Sequence, residues 1–115
     1  MTGKEFIGMI LNILKCISDI TRLRILSLIF YKDAPMCVGD VEESLGLSQP
    51  SVSRHLQRLQ RDELLTSFRK TQFTYYELNQ AAFDQYKFLA PMLELNIKEL
   101  PECMKDIRRM KNIKS

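Results

Sequence analysis

At 115 residues the chain has the length of one domain, enough for a single modest core and not for two. Apolar residues make up 45% and charged residues 27%, proportions of a folded globular protein that exclude a disordered chain. The net charge of +3 permits a polyanionic partner without requiring one, so the placement of the charges must decide.

From Lys4 to Ile17 the residues Phe6, Ile10, Ile13, Leu14 and Ile17, with Met9 beside them, fall at helical spacing and predict a first helix with one buried stripe. Ser18 and Asp19 are candidate N-caps of a second helix that continues through Ile20, Leu23, Leu26, Ile29 and Phe30 to about Tyr31. Its other faces are also largely apolar, which places it at the centre of the core. Asp33-Ala34-Pro35 ends it, because Pro35 has no amide hydrogen to donate. A third helix is expected from Val38 to Leu45, with Val38, Val41 and Leu45 inward and Gly46 where a C-cap needs left-handed backbone. Ser48 then caps a fourth helix with Pro50 in its first turn. Val52, Leu56 and Leu59 form its buried stripe, Arg54, Gln57, Arg58 and Arg61 centre on the opposite side, and Ser51 and His55 line one flank.

After Asp62-Glu63 the period falls to about two. Leu64 to Arg69 and Gln72 to Leu78 read as a β-hairpin joined at Lys70-Thr71, with the register left open by the lack of an Asn-Gly or Asp-Gly turn. Helical spacing returns from Gln80 through Phe83, Tyr86, Phe88 and Leu89. Pro91 and Pro101 leave a choice between two or three helical pieces and one kinked helix. No run approaches the roughly 18 apolar residues of a membrane span, and no basic segment leads into an apolar core and cleavage site at the N-terminus. A cytoplasmic protein without a membrane partner is expected. The three cysteines, Cys16, Cys37 and Cys103, form no CxxC pair and are read as free thiols.

A helix-turn-helix whose second helix is polar and basic has the form of a major-groove reader of double-stranded DNA. Ser48, Gln49, Ser51, Ser53, Arg54 and His55 lie at the front of that helix, where short or bidentate groups can meet base edges and nearby phosphates. Arg58 and Arg61, further along, suit the backbone, and Arg69, Lys70 and Gln72 on the hairpin can reach phosphate or the adjacent minor groove. Any one of these charges could equally be a solvated side chain; clustered on one side of a helix behind that turn, they favour DNA. His55 is the only histidine and has no cysteine, carboxylate or second histidine one turn away, so a DNA contact or partial packing is the reading for it rather than a metal ligand. No nucleophile with a base, open metal site or phosphate-cradling glycine loop is present, so no catalytic residue is assigned and an enzyme is not expected. A winged-helix module that binds protein instead of DNA is the nearer rival, but such modules tend to lose the basic, polar reader surface that this chain keeps.

Three helices, a reader helix, a two-stranded wing and further helix make a winged helix-turn-helix, mainly α with a small β-hairpin. The residues also resemble a family, the ArsR/SmtB metalloregulatory repressors. The matching words are Ile17 to Leu28 (ISDITRLRILSL), Met36 to Val41 (MCVGDV), Leu45 to Leu59 (LGLSQPSVSRHLQRL) and Tyr75 to Leu78 (YYEL), about two thirds of the chain in the family's order. One domain is expected over 1–115, with the helix-turn-helix at 38–61 and the wing at 64–78, and the resemblance implies that the helices at 4–17 and 80–112 serve for dimerisation. It also implies a homodimeric repressor that binds an imperfect palindrome and is weakened by an effector, with no cofactor required.

The effector side departs from the family. Cys37-Val38-Gly39 keeps the first thiol of a metal-binding pair and lacks the second, and one thiol cannot form the three-sulfur pyramid of arsenite. The C-terminal region has no histidine, and its carboxylates Asp84, Glu94, Glu99, Glu102 and Asp106 are read as a solvated face. A redox or persulfide sensor would pair a cysteine of the second helix with one of the last; Cys103 suits the latter, but Ser27 occupies the former. A composite remains, in which Cys16, Cys37 and Cys103 of two chains converge on arsenite or another soft metal ion. The plainer alternative packs Cys16 among Ile13 and Ile17 and leaves Cys103 as a surface or interface thiol.

Overall fold

The computed structural model describes residues 1–113; Lys114 and Ser115, the end of the single domain expected over 1–115, lie outside the described residues. The elements run α1 (Gly3–Ile17), α2 (Ile20–Lys32), β1 (Met36–Cys37), α3 (Val38–Leu45), α4 (Gln49–Arg61), β2 (Leu65–Lys70), β3 (Phe73–Leu78), α5 (Gln80–Gln85), α6 (Leu89–Glu99) and α7 (Pro101–Lys111). Local chemistry sets most of these bounds. The Asp19 carboxylate accepts the Arg22 amide at 3.0 Å and starts α2, while Ser18 closes α1 with its own amide on the Lys15 carbonyl. Asp33 turns into the left-handed region at φ 53° and stops α2 ahead of Pro35. Gly46 does the same for α3 at φ 67°, a conformation that costs a residue without Cβ little. Ser48 holds the N-cap position of α4, though its side chain makes no capping hydrogen bond.

Helix α2 is the centre of the core, as its apolar composition requires. Ile25, Leu26, Leu28 and Ile29 are all buried, and around them close Val41 and Leu45 of α3, Leu64 and Leu65 at the start of β2, and Leu89 and Leu93 of α6. Val52, Leu56 and Leu59 of α4 are completely buried, at the spacings read from the sequence. The first helix differs from expectation. Ile13, Cys16 and Ile17 are buried, but Phe6 and Leu14 are 40% and 45% exposed, because α1 packs on α2 along one narrow side and leaves Ile7, Leu11 and Leu14 uncovered. Ile20, at the first residue of α2, is exposed as well.

The wing is a three-stranded antiparallel sheet in the order β1-β3-β2. Strand β1 escapes the sequence reading because two residues show no period; its Met36 pairs with Tyr76 and its Cys37 with Tyr75. In the hairpin Lys70 pairs with Phe73, so the loop is Thr71-Gln72 rather than Lys70-Thr71, and Thr71 takes the positive φ of 58° that the tight reversal needs. Beyond the sheet there are three helical pieces. Pro101 opens α7 at its first position, and Pro91 sits in the first turn of α6, where a missing amide hydrogen costs nothing.

Leu56 is the middle of the α4 stripe and is wholly buried. Leu56→Ala is expected to cost about 3 kcal/mol of unfolding free energy in a urea titration, the usual price of a cavity in a packed core; a loss under about 1 kcal/mol would show that α4 is not held by this stripe.

Candidate nucleic-acid interface

Burial of one side of α4 leaves the other to solvent. Ser48, Gln49 and Arg54 are exposed, and Ser51, Ser53 and His55 are partly so. The Gln49 amide donates to the Ser53 hydroxyl at 2.8 Å, one turn on, which limits the rotamers of both at the front of the helix. Further along, Arg61 is 68% exposed and stands 3.6 Å from Asp62. Arg58 donates to the same carboxylate at 2.8 Å and is only one-third exposed, so part of its charge is already engaged. At the wing tip Arg69, Lys70 and Gln72 are all exposed, with Arg69 donating to the Gln72 carbonyl at 3.4 Å. Below them Phe68 and Tyr75 stack across the two strands at 5.5 Å and stiffen the hairpin.

His55 is tied to the scaffold. Arg22 of α2 brings Nη1 within 3.2 Å of His55 Nδ1 while its Nε donates to the Cys16 carbonyl. A guanidinium has no acceptor, so Nδ1 must accept and the ring proton resides on Nε2. Burial, and then the positive charges of Arg22 and Arg54, hold the imidazole below its ordinary pKa against the pull of Asp19. The shift favours the neutral ring, whose Nδ1 side faces Arg22.

A second arginine of α2, Arg24, reaches the other half of the motif. It forks onto Asp106 of α7 at 2.8 and 2.9 Å and onto the Leu45 carbonyl at 2.9 Å. Asp106, expected on a solvated face, is instead fully buried; it is the one C-terminal carboxylate that two arginines surround, since Arg109 stands 3.1 Å away. Neither Arg22 nor Arg24 is among the residues picked out from sequence. The available signal was their presence in ITRLRILSL, a helix otherwise too apolar to place charges at the surface.

The cysteines occupy three separate environments. Cys16 is buried between α1 and α4, where burial and then a hydrogen bond to Asp62 push its pKa up to about 11. Burial would raise Asp62 itself, but its bonds to Arg58 and Cys16 keep it below the usual carboxylate range. Cys103, which the plainer reading left at a surface or interface, is buried against Ser27; burial raises its pKa too, and the Ser27 hydroxyl only partly offsets that. Ser27 thus stands where a sulfur would be needed to close a disulfide with Cys103 in the same chain. Cys37 precedes α3 and is partly exposed. Among the described residues of one chain, no three His, Cys, Asp or Glu side chains come together as a metal-ligand set, so a soft-ion site is not assembled by one chain alone.

Comparison with known proteins agrees with this geometry. Residues 19–67, from the cap of α2 into β2, match the bacterial regulatory protein arsR family. The transcriptional repressor SdpR of Bacillus subtilis is 46% identical over 68 residues, 59% of this chain and 73% of SdpR. The arsenical resistance operon repressor of Staphylococcus aureus is 38% identical over 73 residues, 64% of this chain and 68% of that protein. The solved structure of reduced HlyU from Vibrio cholerae superposes with a TM-score of 0.67 at 26% identity, covering 85% of this chain and 95% of HlyU. With its winged helix-turn-helix and its close sequence relatives among transcriptional repressors, the chain belongs to the arsR family of bacterial DNA-binding regulatory proteins.

Proposed function

We propose that the protein is a homodimeric repressor that binds a palindromic operator and is released from it by a thiol-directed effector. The observation that carries the DNA half is the division of α4, with Val52, Leu56 and Leu59 wholly buried and a polar, basic surface opposite. Ser48, Gln49, Ser51, Ser53, Arg54 and His55 meet base edges and flanking phosphates. Arg58, Arg61 and the wing residues Arg69, Lys70 and Gln72 meet the backbone or the adjacent minor groove. Pairing of two chains is supported by the row Ile7, Leu11 and Leu14, exposed apolar residues one turn apart on α1, and by Leu95 exposed on α6. The dimerisation helices are accordingly within 4–17 and 80–112, although α7 of the latter packs on α2 and α3 of its own chain.

A duplex carrying the upstream region of the protein's own operon, titrated at two salt concentrations, tests the DNA half. Binding is expected to exceed that to random duplex and to fall steeply with salt. Arg54→Ala should weaken operator binding about 5- to 150-fold, corresponding to ~1–3 kcal/mol for a lost base contact. Equal affinity for operator and random duplex would sink the reading.

For the effector, Cys37 is the thiol that supports the reading, since Cys16 and Cys103 are 0% and 1% exposed. Alkylation of the native protein followed by mass analysis is expected to mark Cys37 well before the other two. Arsenite, antimonite, cadmium and a persulfide donor, added in turn to the protein–DNA complex, separate the effector classes. Cys37→Ser should abolish whichever response occurs, and an unimpaired response in that variant would exclude Cys37 as the sensor.

A further inference from the structure

The turn that launches α4 is held from outside the helix-turn-helix. Helix α3 ends, like any helix, in carbonyls without an intrahelical donor. Arg109 of α7 donates Nε to the Ser44 carbonyl at 2.8 Å and Nη2 to the Leu45 carbonyl at 3.4 Å, and Arg24 of α2 donates to the same Leu45 carbonyl at 2.9 Å. The Arg109 guanidinium also lies against Gly46, 3.8 Å from where a Cβ would stand. Two cations at the C-terminal end of α3 complement its macrodipole, and Asp106, with both arginines on one carboxylate, keeps them from repelling each other.

A buried carboxylate ringed by two arginines is a poor way to gain stability, because apolar residues of similar size often serve as well. It is a good way to fix a direction, and both arginines that grip Asp106 also donate to the carbonyls of the turn. We propose that Arg24, Asp106 and Arg109 are positioning residues for operator binding. They set the angle at which α4 leaves the turn without touching DNA, so the fit of the reader helix in the groove depends on the docked C-terminal helix. Base contacts weaken steeply with angle and distance, so a small tilt of α4 is enough to lower discrimination. The proposal rests on the DNA reading above.

The test uses full-length Arg109→Gln, whose native side chain is 44% exposed, so its removal leaves the core intact. Affinity for operator and for random duplex is measured across salt concentrations, and amide hydrogen exchange is followed without DNA at Gly46 and Leu47, both of which donate to the Glu42 carbonyl. Expected are a roughly tenfold loss on operator, little change on random duplex, an unchanged salt slope and faster exchange at the two amides. Arg24→Lys, which keeps the charge but loses the fork, should move operator affinity in the same direction. Unchanged operator affinity, whatever the exchange does, overturns the proposal. So does an equal loss on both duplexes with a salt slope reduced by about one, which would make Arg109 a phosphate contact. If the unaltered protein fails to prefer operator over random duplex, the DNA reading falls, while exchange at Gly46 and Leu47 still decides whether Arg109 holds the turn.

Discussion

Two arginines on the central helix join the scaffold to the reader. Arg22 and Arg24 are only 12% and 13% exposed, and a guanidinium brought that far from water costs several kcal/mol unless its donors are met. Their partners are accordingly numerous and come from every side: the Cys16 carbonyl and Asp19, His55 on α4, Leu45 at the end of α3, and Asp106 on α7. Apolar packing assembles the core, but it is non-directional. The fixed geometry between α2 and both halves of the helix-turn-helix comes from these hydrogen bonds.

The same economy divides the basic residues into two groups. Arg22, Arg24, Arg58 and Arg109 all have carboxylate partners within the chain, and Arg58 shares Asp62 with the Cys16 thiol. Arg54 on α4 and Arg69 and Lys70 on the wing are exposed, with Arg61 only loosely paired. A net charge of +3 is therefore a weak guide, since it sums cations that build the fold with cations that face solvent. His55 sits at the boundary, with its Nδ1 side held by Arg22 of the scaffold.

The cysteines show the same division between structure and exposure. Cys16 and Cys103 are buried beside Asp62 and Ser27, and burial raises the pKa of both, while Cys37 lies at the junction of β1 and α3 with part of its surface open.

The first four helices were legible in the sequence because their signals are local, whereas the division of the C-terminal region into α5, α6 and α7 was left open. Periodicity announced the stripe Val52, Leu56 and Leu59, and glycine's access to the left-handed region announced the turn at Gly46. The exposed polar surface of α4 follows from its stripe by subtraction, and the matching words carried the family. What required the tertiary structure was every pairing between distant positions. Strand β1 is too short to have a period, and it exists only because β3 offers it an edge. Phe6 and Leu14 look like core residues, yet the packing of α1 in the folded chain leaves both partly exposed. Asp106 reads as one more surface carboxylate, and only the approach of Arg24 from 82 residues away makes it the buried centre of a cluster. Sequence determines which side of each helix must leave water; which charges follow it inside depends on partners that only the folded chain brings together.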